Sequence, residues 1–379
     1  MQRRTLDKLG LELPLLGFGC MRLPVNEDKT IDHRAAMAMV DYAINHGINY
    51  FDTALMYHNE TSESFIGEAL SHYPRESFML TTKLHASYTK TKADVERIFN
   101  EQLERCRVDY FDFYLMHDVE RTKFDLFRQF EVYEFLKQQQ AAGRIKYLGF
   151  SSHDDHEQIA QFLDMYQFDV AQLQINYVDW RLRNAEQCYR VLEERGIPCI
   201  VMEPIKGGTL ADVPDAVREI LKASSPQATP ASLALRWVAS LPNVKMILSG
   251  MSSMEQLVEN EQVLSEFKPL TDAEQQAIQA AVGVFEAGKQ IPCTGCRYCS
   301  NCPVGVNIPD IFSLYNRHAI FGAREHFRIR QNYGSFFSDN QKASACVDCG
   351  RCVQLCPQHI AIPEELRKVH PVLMEIVNK

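Results

Sequence analysis

The chain has 379 residues, 46% of them hydrophobic, and a formal net charge of -9. That length buries one large core and leaves room for a smaller appended domain. The acidic balance excludes general nucleic-acid binding, which rests on Lys and Arg neutralising phosphates, and no apolar run approaches the ~20 residues that span a bilayer.

The opening MQRRTLDKLGLELPLLGFG pairs basic with apolar residues, as an export signal does. Glu12 and Pro14 interrupt its apolar part and no small-residue cleavage site follows, so a strand hairpin and a cytoplasmic location are expected. From about residue 30 the chain alternates amphipathic helical stretches with short apolar runs. DHRAAMAMVDYAINHG, stopped by Gly47, leads to INYFDTA, and SESFIGEALSHY leads to SFMLTTKL. ADVERIFNEQLERCRV precedes YFDFYLMHD, EVYEFLKQQQAAGR precedes IKYLGFSSH, and HEQIAQFLDMYQ precedes DVAQLQINY. AEQCYRVLEERG then gives PCIVMEPI, and PASLALRWVASLP gives VKMILSG. With GLELPLLGFG as the first strand, about eight strand–helix pairs predict a parallel, closed (β/α)₈ barrel, a TIM barrel.

Twelve cysteines are unevenly spread: Cys20, Cys106, Cys188 and Cys199 are scattered, and the rest lie between 293 and 356. Without an export signal, clustered cysteines indicate metal rather than disulfides. Composition splits the chain near residue 290; the expected layout is a barrel at 1–265, a helical linker at 266–290 and a cysteine-rich domain at 291–379.

In such a barrel, reactive residues belong at the C-terminal strand ends. There the sequence places Asp52, Lys83, His117, Asp118, Ser151, Ser152, Asn176, Glu203 and Ser249. Taken singly, each could be a hydrogen-bonded strand end, but four titratable groups at one rim make a chemical device. A Tyr hydroxyl, with a pKa of ~10, is a poor acid until a Lys ammonium favours the phenolate. A carboxylate can hold that Lys, and a His can orient a substrate carbonyl. Asp52, Tyr57, Lys83 and His117 supply these groups.

FDTALMYHN, TTKL and YLMHD resemble the catalytic segments of aldo-keto reductases. The resemblance implies Tyr57 as proton donor, Lys83 as modulator of its pKa, Asp52 as partner of Lys83 and His117 as carbonyl orienter. It also implies NAD(P)H held without a Gly-rich fingerprint and a small carbonyl or alcohol substrate. Ser151, Ser152 and Gln172 then approach the carboxamide, with Gln174 a rival to Gln172. Met21, beside Cys20 at the end of the first strand, and Glu203 in MEPIKGG lie along the nicotinamide and pyrophosphate. Gly250, Ser252, Gln256, Glu259 and Asn260 in GMSSMEQLVEN match the adenosine-phosphate segment. That segment has no base to meet a 2′-phosphate, which leaves NADH, NADPH or both open, with Lys206 or Arg22 as outside cations.

CVDCGRCVQLCP carries Cys346, Cys349, Cys352 and Cys356 in the C-x₂-C-x₂-C-x₃-C-P spacing of two-cluster ferredoxins. CTGCRYCSNCP, one residue shorter at its end, carries Cys293, Cys296, Cys299 and Cys302. Ferredoxin resemblance implies two [4Fe–4S] clusters with exchanged fourth ligands. Cys293, Cys296, Cys299 and Cys356 would hold one, and Cys346, Cys349, Cys352 and Cys302 the other. Structural zinc is the competing reading. NIPDIFSLYNRHAIFGAREHFRIR, between the runs, reads as helical and favours an α-helical ferredoxin-like domain. The whole resembles the ferredoxin-containing subgroup of aldo-keto reductases.

The scattered cysteines read as small buried hydrophobes, with Cys20 the candidate to face a cofactor. In HDDHE (153–157), a helix cap at Asp154 or Asp155 is preferred to a metal site. The basic stretch from Arg317 to Arg330 reads as a solvated face, with docking of an acidic electron carrier such as ferredoxin or flavodoxin as the alternative. A nicotinamide gives two electrons and a cluster passes one. Relay through a bound flavin or radical substrate, sensing, and structural support are therefore all open roles for the clusters. The expectation is an oxidoreductase; the alternative is an electron-transfer or sensory protein whose barrel binds nucleotide with little turnover.

Overall fold

The computed structural model describes residues 1–288, 290–293, 299–356 and 358–379. Arg3–Leu6 (β1) and Leu11–Pro14 (β2) pair antiparallel as the expected hairpin. Eight further strands follow: Leu16–Gly19 (β3), Tyr50–Asp52 (β4), Met79–His85 (β5), Phe111–His117 (β6), Ile145–Ser152 (β7), Val170–Gln174 (β8), Cys199–Met202 (β9) and Val244–Gly250 (β10). They close a barrel in the order β10-β3-β4-β5-β6-β7-β8-β9, every pairing parallel.

The first apolar run, expected as one strand, divides into β2 and β3. The hairpin ladder ends with Leu15 N–H on the Gln2 carbonyl, and the Leu15 carbonyl then accepts from Ile247 N–H of β10, so the parallel barrel begins at Leu16. The hairpin closes the N-terminal end of the barrel. Its Leu6 and Leu13 join the interior cluster of Tyr50, Phe113, Leu115, Val170, Ile200, Met246 and Leu248. Arg4 donates to the carbonyls of Ala239 and Val244, at the start of β10.

The helices form where caps and apolar spacing agree. Asp32 accepts from Ala35 N–H to start His33–Asn45, and Thr91 with Asp94 makes a reciprocal box before Lys92–Cys106. Asp155, not a metal site, explains HDDHE: it caps His156–Met165 by accepting from Gln158 N–H.

One buried network behind the barrel wall fixes β5. Glu63, fully buried on Ser62–Leu70, accepts from Thr82 Oγ1 at 2.6 Å, Gln102 Nε2 at 2.7 Å and Arg105 Nε at 2.8 Å. Gln102 also donates to the Lys83 carbonyl at 3.0 Å. The two helices meet where Gly67 stands; a Cβ there would come within 2.4 Å of the Arg105 carbonyl oxygen.

Compactness divides the chain differently from composition. One unit is 1–212 with 225–275; the other is 213–224 with 276–379. Cysteine content marks only where the cysteine runs begin, whereas compactness joins Asp215–Ser224, whose Val217 and Leu221 are buried, to the second unit. The second unit is helical, as expected, with Ile308–Phe321 and Ile362–Val377 around a core that includes Ile311, Tyr333 and Leu366. Proline stands in the first turn of both helices, where a missing N–H costs nothing.

Removing Arg105 leaves the Glu63 carboxylate buried without its cation. Arg105→Met should destabilise the barrel by about 3–5 kcal/mol, read as a lowered denaturant midpoint, whereas Arg97→Met on the exposed face of the same helix should change it by less than about 1 kcal/mol.

Candidate active site

The C-terminal rim gathers Asp52, Tyr57, Lys83 and His117 from three successive strands. Lys83 is 1% exposed and Asp52 4%. All three protons of the Lys83 ammonium have acceptors: Asp52 Oδ1 at 2.5 Å, the Thr53 carbonyl at 2.8 Å and Tyr57 Oη at 3.4 Å. Gln172 Nε2 donates to the other Asp52 oxygen at 3.2 Å. Gln172, expected as a carboxamide contact, thus supports the carboxylate, while its rival Gln174 donates to Asp179.

Burial alone would lower the Lys83 pKa; Asp52 and Tyr57 outweigh it and raise it, so the ammonium persists. Tyr57 is also raised, because burial outweighs the pull of Lys83. The phenol therefore stays protonated in the ligand-free site. The His117 ring meets the Tyr57 ring edge-on at 6.1 Å. Burial, then Lys83 and His85, push its imidazole well below the ordinary range, which leaves it neutral.

Sequence reading missed the ties that hold the Tyr57 loop. His58, Asn59 and Glu60 all take left-handed backbone, at φ 50°, 53° and 68°. His58 Nε2 accepts from Leu23 N–H at 3.1 Å, and Ser62 Oγ donates to the Cys20 carbonyl at 3.3 Å. The loop is thereby fastened to the turn that follows β3. A glycine would have announced the left-handed turn; His and Asn adopt it without that signal. Cys20 is buried within this group, and burial, then Asp52, push its thiol far up. His85 was missed as well. Its Nδ1 accepts from Ser87 N–H at 3.2 Å, its Nε2 lies 3.7 Å from Asp118 Oδ2, and its ring stands edge-on to His117 at 5.4 Å.

The nucleotide candidates scatter along one side of the rim. Ser151 Oγ accepts from Asp118 N–H at 2.9 Å. The Ser152 hydroxyl is committed to its own connection, donating to the Val119 carbonyl and accepting from Asp154 N–H. Met21 is exposed. Glu203 is left-handed, and its carbonyl accepts from Asn176 Nδ2 and Lys206 N–H. Ser252 donates to the Arg22 carbonyl and Gln256 folds back to Ser252 N–H. Glu259 pairs with Thr229, and Asn260 is buried on Ser249 Oγ.

Of the two outside cations, Lys206 is buried against Asp179. Arg22 is exposed; a Cβ at Gly250 would touch its stem at 3.1 Å, and one at Gly207 would meet its guanidinium at 2.9 Å. Two side-chain-free backbones beneath one arginine make a cradle that suits an anionic dinucleotide.

In the second unit, Cys299, Cys302, Cys346, Cys349 and Cys352 line one partly open cavity. Val304, Val306, Ile308, Leu355 and Leu366 supply apolar walls. Burial, then Cys346, raises the Cys352 thiol, and Cys349 and Cys302 push the same way, so the four sulfurs share one neighbourhood. Among the described residues, no three His, Cys, Asp or Glu converge on one ion. Soft thiolates lining one cavity suit an iron–sulfur cluster. Cys293, Cys299 and Cys356 pack half-buried on the same core, while Cys296 lies outside the described residues. The basic stretch is partly neutralised: Arg317 makes a bidentate pair with buried Glu325 at 2.7 and 2.9 Å.

A parallel barrel with this rim and a thiol-lined second unit define an oxidoreductase built from a barrel and an iron–sulfur domain. Residues 15–282 match the aldo/keto reductase family, and the chain belongs to it. Residues 292–361 match a 4Fe-4S dicluster domain. The chain is 26% identical over 310 residues to the uncharacterized oxidoreductase YqkF of Bacillus subtilis, covering 74% of this chain and 96% of that protein. It is 25% identical to the NADH-specific methylglyoxal reductase of Escherichia coli, over 68% of this chain and 89% of the relative. The holo structure of the aldo-keto reductase AKR11C1 from Bacillus halodurans superposes with a TM-score of 0.61 at 27% identity, covering 74% of this chain and 96% of its own. Among the described residues, no helix is long and apolar enough to cross a membrane.

The His58 tie should be visible in rate rather than in binding. His58→Ala is expected to lower kcat about tenfold, while nucleotide affinity by fluorescence titration moves less than about threefold, with partial recovery in His58→Asn, which tolerates the left-handed backbone.

Proposed function

We propose that the barrel transfers hydride between a nicotinamide dinucleotide and a small carbonyl or alcohol, with Tyr57 passing the proton. The observation that carries this is the Lys83 ammonium, enclosed by Asp52 and Thr53 and directed at Tyr57 Oη. The bound nicotinamide would supply the hydride, and the dicluster domain, with two [4Fe–4S] clusters, would pass single electrons.

The residues divide the remaining work. His117, neutral, donates to the carbonyl oxygen and fixes its direction. As charge builds on that oxygen, Tyr57 releases its proton to it. Lys83 stabilises the resulting phenolate across 3.4 Å, and Asp52, braced by Gln172, holds Lys83 in place. Arg22, over Gly207 and Gly250, would face the dinucleotide phosphates. The eight clustered cysteines divide as the exchanged-ligand pattern requires, which the cavity of Cys302, Cys346, Cys349 and Cys352 supports.

Tyr57→Phe should reduce aldehyde turnover about 10²–10⁴-fold with nucleotide affinity largely intact; unchanged turnover would sink the assignment. Reduction needs Tyr57 protonated. Because its pKa is raised, the reductive rate should hold through neutral pH and fall only above the ordinary phenol value of ~10, while alcohol oxidation should climb with pH over the same range. Rate profiles in both directions check the sign. Anaerobically purified protein should carry about eight Fe per chain; zinc in place of iron would end the cluster reading.

A further inference from the structure

We infer that Cys349 holds the exposed corner of the Cys302/Cys346/Cys349/Cys352 cluster, and that its iron is the one this cluster loses first to dioxygen. This rests on the two-cluster reading above. Within the set, Cys349 alone is exposed, whereas Cys302, Cys346 and Cys352 are half-buried against the apolar core. The loop is shaped to present it. Asp348 and Gly350, on either side, take left-handed backbone at φ 57° and 71°, turning the chain outward at Cys349. Arg367 pins that turn from Ile362–Val377 by pairing with Asp348 at 2.7 Å.

Part of the rim that solvent reaches is apolar. Val347 and Leu355 line the cavity yet are 61% and 51% exposed. They form an open apolar collar, to which exposed Asn301 and Arg351 add polar edges, while Val306, Ile308 and Leu366 line the buried side. Dioxygen, small and apolar, passes such a collar easily, and thiolate lability follows exposure. The chemistry balances with dioxygen as the one-electron oxidant. The [4Fe–4S]²⁺ cluster gives one electron to dioxygen, which leaves as superoxide, and releases one Fe²⁺. A [3Fe–4S]⁺ cluster remains on Cys302, Cys346 and Cys352, and the Cys349 thiolate is set free. That places an oxidant-responsive switch on one residue, distinct from the Tyr57 chemistry.

The test uses the full chain loaded anaerobically, then exposed to air-saturated buffer and quenched at intervals with iodoacetamide. Iron release is followed by a ferrous chelator, and alkylated cysteines are mapped by tandem mass spectrometry. The expected result is alkylation of Cys349 ahead of Cys302, Cys346 and Cys352, in step with about one Fe released per chain. Widening the collar with Val347→Ala and Leu355→Ala should speed both signals about threefold and leave the anaerobic iron content unchanged. Alkylation beginning at Cys302, Cys346 or Cys352, or all four reacting together as iron leaves, would overturn the inference. Failure of the two-cluster reading looks different: without oxygen the protein would hold little iron, and every clustered thiol would alkylate at once.

Discussion

Everything at the catalytic rim depends on one ammonium kept inside a closed sheet. An unpaired charge in such a place would neutralise itself or empty the site of structure, because losing water costs several kcal/mol per ion. Lys83 avoids both outcomes by spending its three protons on Asp52, Thr53 and Tyr57. Asp52 in turn draws on Gln172 from β8, on the far side of the barrel. The wall behind is stiffened to match, since Glu63 accepts from Thr82 Oγ1 and Gln102 donates to the Lys83 carbonyl. Tyr57 and His117 are the partly exposed members of the arrangement, whereas Asp52 and Lys83 are buried.

That order of burial explains why the phenol is not acidic at rest. Burial raises Tyr57 more than Lys83 lowers it, so the proton stays on oxygen in the ligand-free site. In the proposed reaction, Lys83 would act on the product of proton transfer rather than on the resting group. The same logic separates the two halves of the molecule chemically. The barrel rim buries its ammonium among hydrogen-bond acceptors, whereas the thiol cavity opens to solvent beside exposed Val347 and Leu355.

Much of this could be read in the sequence, for identifiable reasons. Parallel strands buried on both faces leave continuous apolar runs, and eight of them separated by helical spacing admit few folds. Asp52, Lys83 and His117 stood out because each ends such a run. The cysteine spacing is equally direct, since ligands of one cluster must lie close along the chain. What could not be read depends on partners distant in sequence or on backbone that residue type does not advertise. Gln172 reaches Asp52 across 120 positions, and Lys206 is committed to Asp179 across 27. The left-handed turn at His58, Asn59 and Glu60 carries no glycine. Pro14, visible from the start, proved to be the last residue of β2.

The division of the chain into compact units has a practical side. Residues 213–224 belong with the C-terminal unit although they are made before the last barrel strand. The polypeptide therefore leaves the barrel unit, returns to supply β10, and leaves again. A gene shortened at residue 275 to obtain the barrel alone would keep Asp215–Ser224, with its buried Val217 and Leu221, while discarding the rest of the unit to which it belongs. The iron–sulfur unit expressed alone would lack a helix of its own. For this chain, the smallest faithful preparation is the undivided polypeptide, and dissection is better done with point substitutions than with scissors.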